Sequence, residues 1–461
     1  MNLLKRLRRF CPQPPDRSPT QLKRYYVPIA AIVTASIILS VSFFSFSGLM
    51  SNMSVPVIPV VNVGSSTNPT LLWNFTTGNL FYSPPTDING VLYLGSSDGN
   101  IYALNATNGA KIWNYTTGGM IFGSPAVVNG IVYVGSSDGN VYALDANSGV
   151  QLWNFTAGSA GNFNPINPSG GSAIGSSPVV AGGVVYVGSY NGNLYALNST
   201  TGAKLWNYTT SGAVWSCAVD EGVIYVNSGD YNMYALNTTN GNRLWNFVSG
   251  IPVISCGGEP YPILSSPTIV GKVVYVGSDN GTVYALNAQS GIILWNYTTY
   301  IQSNAISVFS GDEVLSSPVL VNDVLYISSS HGNYALNATN GNKIWNSTTS
   351  NESNTSPAFA SGVIYLANSG NVYALNATDG RQLWSFTTSY HQTTSPTLFN
   401  GVLYGGGDDS VYALRVASPT PSPTPSASTV ISNTQLIIIG GLVVLIIIAS
   451  IVILVLKKEH N

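Results

Sequence analysis

Charge is what this chain has least of. Only 34 of its 461 residues are Asp, Glu, Lys or Arg, or 7%. An ordinary soluble domain carries roughly a quarter. That poverty excludes a coiled coil, a charge-rich disordered segment and a nucleic-acid binder. Cysteine occurs three times, at Cys11, Cys217 and Cys256, and no two are adjacent. Histidine is as rare: beyond the C-terminal His460, only His331 and His391 occur. No Ser-His-Asp spacing, phosphate loop or paired metal-ligand motif is present. Enzymes need convergent titratable groups, and here the supply is thin. Polarity comes instead from Asn, Ser, Thr and 47 Gly, and 27 Tyr supply much of the aromatic content.

The little charge there is lies unevenly along the chain. Residues 1–26 hold seven basic side chains against one acid, Asp16. The apolar run Val27 to Met50 follows. At 1.5 Å per residue it is long enough to cross a hydrocarbon core of about 30 Å. The basic flank predicts a cytoplasmic tail over 1–26 and a transmembrane signal anchor over 27–50. A cleaved signal peptide, with Ser45 and Ser47 near the cleavage point, is the alternative. A second uncharged run, Leu436 to Leu456, ends in Lys457-Lys458 and predicts another transmembrane helix with residues 457–461 in the cytoplasm. A linker over 51–70 and a Pro/Ser/Thr-rich stalk over 415–435 flank the centre. Ser418–Pro425 alternates proline and cannot build a core. Both termini are thus expected in the cytoplasm and the centre outside it, at the cell membrane. With 7 basic and 16 acidic residues over 51–430, the net charge of the centre disfavours binding to phosphate backbones or anionic lipid.

Self-similarity dominates that centre. Tyr-Ala-Leu occurs eight times, beginning at Tyr102, Tyr142, Tyr195, Tyr234, Tyr284, Tyr334, Tyr373 and Tyr412. Eight tryptophans keep step: Trp73, Trp113, Trp153, Trp206, Trp245, Trp295, Trp345 and Trp384; Trp215 stands outside the pattern. Ser-Pro opens seven units, at Ser83, Ser124, Ser177, Ser266, Ser317, Ser356 and Ser395, and Ser216-Cys217 opens the other. Each unit reads as four short strands, A to D, joined by Asp-Gly and Asn-Gly hairpin turns. Four strands per repeat of about 40–50 residues predict an all-β, eight-bladed β-propeller over 71–414. Trp73 belongs to a strand D without A–C before it, and Tyr412 to a strand C without D after it. The two fragments complete one blade and close the ring.

The spacing Ala103-Leu-Asn105 … Gly109 … Trp113, repeated in seven copies, resembles the tryptophan-docking motif of the pyrroloquinoline-quinone (PQQ) repeat family. That family includes quinoprotein dehydrogenases and an outer-membrane-assembly lipoprotein. The resemblance implies that each Trp wedges between blades. The motif's usual Asp is kept only at Asp145. The dehydrogenases hold PQQ over Ca²⁺, often with a vicinal Cys pair; that pair is missing here and acidic clusters are scarce, so no cofactor and no metal are expected. No Trp-Asp dipeptide occurs, which argues against a WD40 array.

Trp-to-Tyr intervals run 29, 29, 42, 28, 39, 39, 28 and 28 residues. The long ones place insertions at Gly158–Gly175, Gly250–Leu264 and Tyr300–Leu315, between D and the next A. They would raise an asymmetric rim beside the B–C turns, with Asn162, Asn164, Asn167, Glu259, Tyr261, Asp312, Glu313, His331 and His391 as candidate ligand contacts. His331 also reads as a turn residue, and loop drift without function is the plain alternative for the insertions. Cys217 and Cys256 lie on adjacent units on that face and are a candidate disulfide, or two buried thiols. Six of fifteen Asn-x-Ser/Thr sequons are Trp-Asn-x-Thr, at Asn74, Asn114, Asn154, Asn207, Asn296 and Asn346. Their Asn should point out of the outermost strand and are candidate glycosylation sites. The functional expectation is a membrane-anchored surface propeller that binds a protein or glycan without chemistry. The alternatives are a PQQ-dependent dehydrogenase with an atypical site, and an envelope-assembly scaffold.

Overall fold

The computed structural model describes residues 68–158, 171–248, 265–278, 281–299, 314, 316–348, 355–368, 370–388, 394–407 and 409–416. The two apolar runs, the stalk, Cys11 and most of the three insertions lie outside these. Among the described residues no helix is long and apolar enough to cross a membrane.

The described residues form eight four-stranded antiparallel sheets. Seven are continuous in sequence: blade 1 (86–116), blade 2 (126–156), blade 3 (179–209), blade 4 (214–248), blade 5 (268–298), blade 6 (319–347) and blade 7 (358–387). Blade 8 is composite. Thr397–Phe399, Val402–Gly406 and Ser410–Arg415 supply A to C, and Thr70–Thr76 supplies D. In that closing pair Trp73 lies opposite Ala413 and Asn74 opposite Tyr412. The ring is closed from its two ends, as the terminal fragments predict.

Burial explains the strand patterns. Strands B and C are packed by neighbouring blades on both faces and read as nearly continuous apolar runs: Val132, Tyr133 and Val134 are all buried, as are Val141 through Leu144. The outer strand D touches a neighbour on one face only, so Trp113 is buried while Asn114 and Thr116 are exposed. The A–B turn Asn129-Gly130 has φ of 53° and 76°, the two positive values a tight hairpin twisted with its strands requires.

Proline sets the length of strand A. In seven blades it is three residues long, because proline lacks the N–H that would extend the ladder. A side-chain hydroxyl then continues the pairing. Ser176 Oγ accepts from Gly188 N at 2.7 Å, Ser316 Oγ from Ser328 N at 2.8 Å, and Thr394 Oγ1 from Gly406 N at 2.9 Å. In blade 4 Cys217 replaces the proline, and strand A lengthens to seven residues, Val214–Asp220. Blade 1 corrects the sequence reading by one position. Ser83 accepts from Gly95 N and so matches Ser176, while Pro84 stands where blade 2 has Ser124.

Blades are joined by the tryptophans. Trp113 Nε1 donates to Ala146 O of blade 2 at 3.0 Å, and Tyr93 Oη donates to the same carbonyl at 3.1 Å. Seven Trp make this bond, from Trp73 to Ala106 O through Trp345 to Ala377 O. The indole lies flat on the glycine of the next C–D turn. A Cβ on Gly109 would sit 2.6 Å from Trp73 Cε3, and its φ is +73°. Glycine is required there on both counts.

One core position breaks the pattern. The penultimate residue of strand A is Val127, Val180, Val219, Ile269, Leu320, Phe359 or Leu398 in seven blades, but Asp87 in blade 1. Asp87 Oδ1 accepts from Gly90 N at 3.2 Å, while Oδ2 is buried without a partner. Desolvation holds its carboxyl above the usual carboxylate range, opposed by that backbone bond. A raised folded-state value means the fold favours the neutral acid. The stability Asp87 allows is therefore full below the ordinary carboxylate range and lost as pH rises through the shifted value. Asp87→Leu is expected to raise stability at neutral pH by roughly 1 kcal/mol, since an unsatisfied polar atom is removed. It should also flatten the loss of stability on leaving acid. Thermal melts of both proteins from pH 3 to 7 check this; an unchanged slope would contradict it.

Candidate functional site

Antiparallel order gives the ring two unlike ends. B–C turns and D–A connections share one, the funnel face. A–B and C–D turns share the other. Strand D of blade 8 starts at Thr70 opposite Arg415, where strand C ends. Both chain ends therefore leave from the second face, here called the exit face.

On the funnel face the turn aspartates are fully engaged. Asp138 accepts from Asn140 N at 2.9 Å, Tyr142 Oη at 2.7 Å and Gly118 N of the preceding connection at 2.7 Å. Asp230 repeats this with Asn232 N, Tyr234 Oη and Ser211 N. Asp98 holds Tyr102 Oη at 2.6 Å. Burial, and then the bond to these carboxylates, pushes the phenols of Tyr102, Tyr142 and Tyr234 well above their ordinary range. Asp138 and Asp230 are thus staples between blades, while Asp98 ties Asn100 N and Tyr102 Oη within blade 1. The sequence reading as turn residues holds; that Asp138 and Asp230 also reach the neighbouring blade's connection was not legible in one repeat.

Aromatic side chains line the funnel beside blades 1 to 4. Tyr82 and Phe122, each just ahead of a strand A, lie with ring centroids 5.1 Å apart, and Tyr82 is 40% exposed. The corresponding residue before blade 3 is Gly175, and Tyr190 from the B–C turn fills the space: a Cβ on Gly175 would be 2.3 Å from its hydroxyl. Tyr190 in turn packs on Trp215 at 4.7 Å. Trp215 is the tryptophan outside the repeat, and its Nε1 is buried without a partner. Near it Asn227 donates to Ser265 O at 2.8 Å, while its Oδ1 has no partner. Asn227 stands where blades 1, 2, 3 and 5 have Gly95, Gly135, Gly188 and Gly277. Sequence reasoning missed this arc. Its one signal was the departure from the repeat at Trp215 and Tyr190.

His331 occupies the B–C turn of blade 6, where blades 1, 2 and 4 have aspartate. Its N–H donates to Ser329 Oγ at 3.1 Å, and Nδ1 is 3.2 Å from Ser330 Oγ. That hairpin is one residue shorter than in blade 2, which buries Asn333, where it accepts from Ser328 Oγ at 2.8 Å. Of the other rim candidates, Asn162, Asn164, Asn167, Glu259, Tyr261, Asp312, Glu313 and His391 lie outside the described residues. Cys217 is buried on strand A of blade 4, and burial pushes its thiol up to about 12; Cys256 lies outside the described residues. Asn74, Asn114, Asn154, Asn207, Asn296 and Asn346 are all exposed on strand D. Asn114 Nδ2 and Thr116 Oγ1 both donate to Asn100 Oδ1 on strand C, and Asn207 and Thr209 repeat this on Asn193.

Charge separates by face. All seven Lys and Arg of the ring lie on the exit side: Lys111, Lys204, Arg243, Lys343 and Arg381 at or just before the start of a strand D, Lys272 in an A–B turn and Arg415 at the end of strand C. Six acids share that side. The described funnel face has Asp98, Asp138, Asp230 and Asp409 and no cation. Among the described residues no group of three or more His, Cys, Asp or Glu could hold a metal ion. A calcium ion under a quinone needs several clustered oxygen ligands, and the described funnel does not offer that donor set. No catalytic step is derived through it.

Eight radial sheets joined by indoles on a glycine turn define a PQQ-like repeat propeller. A family model described as outer membrane protein assembly factor BamB matches residues 62–175, 159–386 and 334–420, and the chain belongs to that family. Among solved structures it is similar to BamB from Moraxella catarrhalis, with TM-score 0.61 and 19% identity over 76% of this chain and 100% of that one. It is also similar to the quinohemoprotein alcohol dehydrogenase from Comamonas testosteroni, with TM-score 0.60 and 15% identity over 78% of each chain. A europium-containing methanol dehydrogenase gives TM-score 0.60 and 14% identity over 76% of this chain and 93% of that one. At these identities the likeness is one of fold. No curated protein sequence matches the chain.

Proposed function

We propose that this chain is a membrane-anchored extracytoplasmic propeller that binds a protein or glycan ligand on its funnel face and performs no chemistry. The observation that carries the reading is the aromatic arc of Tyr82, Phe122, Tyr190 and Trp215, with two buried polar atoms, Trp215 Nε1 and Asn227 Oδ1, at one end of it. Aromatic faces stack on sugar rings or seat apolar side chains. The engaged aspartates support a binding surface over an acid–base site. Family membership favours one version of this reading, a scaffold in envelope assembly. The anchors are the apolar runs 27–50 and 436–456, and the exposed strand-D asparagines are the proposed glycan carriers. A Cys217–Cys256 disulfide would tie the insertion before blade 5 to blade 4.

Titration of the purified protein with PQQ and Ca²⁺ is expected to leave the quinone spectrum unchanged. Stoichiometric uptake would overturn the non-catalytic reading in favour of a dehydrogenase. Binding to isolated envelope glycans and proteins should be lost in a Tyr82→Ala, Phe122→Ala double variant that melts like the parent.

A further inference from the structure

The exit face has a feature the repeat does not require. Sixteen large hydrophobic side chains of the described residues are exposed. Twelve lie within two residues of an A–B or C–D turn and Leu71 lies at the start of the closing strand D, on the side that also holds all seven Lys and Arg; of the described residues, Tyr82, Met120 and Val248 lie toward the funnel. Scattered exposed aliphatics are ordinary, but thirteen gathered at one end of the strands, beside all seven cations, are not.

The cause is a bulge repeated around the ring. Strand D pairs with strand C on both sides of the residue before each docking Trp and skips that residue. Lys111 lies opposite Leu104 and Trp113 opposite Ala103, which leaves Ile112 unpaired. A bulged residue is turned out of the ladder. Ile112 is 49% exposed, Leu152 50%, Leu205 52% and Leu244 52%. The turns add Val150 at 61% and Ile292 at 66%.

We propose that the exit face rests on the lipid bilayer surface, with its aliphatic side chains in the headgroup boundary and its Lys and Arg at the phosphates. Three observations select lipid as the occupant. The two strands that end the ring, at Thr70 and Arg415, have those ends side by side on this face, and in sequence they lead on to the apolar runs 27–50 and 436–456. Every cation of the ring is here, seven against six acids, whereas the described funnel face has four acids and no cation. Aliphatics mixed with Lys and Arg are the composition of an interfacial surface, where long basic side chains reach the headgroups while apolar ones sink. The docking rests on the reading of those runs as anchors, but it is a property of the ring and is tested without them.

The face also divides the sequons. Asn105, Asn198, Asn237, Asn337 and Asn376 are in C–D turns on the exit side and half-buried. Asn105 Oδ1 accepts from Thr107 N and Asn108 N at 2.9 and 3.2 Å, and Asn198 repeats this at 3.0 and 3.0 Å. Glycans on these would hold the face off a bilayer; glycans on the strand-D set, partway up the perimeter, would not.

Residues 68–416 contain every described strand of the closed ring, and a cooperative thermal melt of this fragment is the first readout. This fragment is expected to sediment with vesicles of phosphatidylcholine and phosphatidylglycerol, less so with phosphatidylcholine alone. An Ile112→Gln, Val150→Gln, Leu205→Gln, Ile292→Gln variant should partition about tenfold less, with an unchanged melt because these side chains are solvent-facing. Met120→Gln with Val248→Gln should partition like the parent. No vesicle association of the parent, equal loss in the Met120/Val248 control, a lipid-independent dimer abolished by the fourfold variant, or glycopeptides carrying Asn105-type glycans would each overturn the docking. Failure of anchoring is read separately, as release of the full-length chain from membranes by alkaline wash.

Discussion

Removing residues through Thr76 opens the ring, with an expected loss of more than about 5 kcal/mol and a shift from monomer to aggregate. Thr70–Thr76 is the only strand D that blade 8 has. Without it Ser410–Arg415 becomes an open edge with unpaired N–H and C=O groups, the usual template for edge-to-edge association. Trp73 leaves with it, and so does the wedge against Gly109 and the bond to Ala106 O. A buried Trp lost to a cavity costs about 3–5 kcal/mol by itself. The strand pairing adds to that, along with the separation of blades 8 and 1. Size-exclusion profiles and thermal melts of the truncated and parent rings decide it. A monomeric truncated ring melting within a few degrees of the parent would show that closure contributes little.

Trp113→Ala is expected to cost about 3–5 kcal/mol in urea titrations at neutral pH. Trp113 is buried at the boundary of blades 1 and 2 against Tyr93 and Gly149. Its loss also leaves Ala146 O with the Tyr93 phenol as a single donor. Trp113→Phe keeps most of the apolar wedge and gives up the Nε1 bond, so its cost should fall to about 1–2 kcal/mol. Trp215→Ala is the internal comparison. Trp215 is part-exposed, seats on no C–D turn glycine and makes no Nε1 bond, so it should cost well under half as much as Trp113→Ala. Equal costs for the two would refute the division between docking tryptophans and the funnel tryptophan.

The eight-fold architecture was legible because its signals are local and repeated. Trp, Gly and Tyr-Ala-Leu recur in register, and the solitary strand D at Trp73 and unfinished blade at Tyr412 fit together. The docking role of the tryptophans came from a resemblance and is visible as an Nε1 bond and a glycine seat in seven blades. The candidate site was less legible. Reading insertions as a rim drew attention to long loops, whereas the arc of Tyr82, Phe122, Tyr190 and Trp215 comes from short ones. Gly175 and Tyr190 exchange places there, and such an exchange between a D–A connection and a B–C turn is invisible along one chain. Ser83 was misplaced by one residue for a similar reason: Pro84-Pro85 offers two Ser-Pro alignments, and only the hydroxyl bond to Gly95 N chooses between them.

Amino-acid order by itself determined how many sheets there are, where each turns and how the ring is sealed, since hairpin signals and strand length act over a few residues. Three-dimensional packing decided which side chains become neighbours across blades. The skipped residue before each Trp, the Asp138 carboxylate reaching Gly118, the orphaned Oδ2 of Asp87 and the gathering of every cation on one face all follow from folding direction alternating strand by strand. The spacing told which turns share an end of the ring, but not which side chains of adjacent blades meet there.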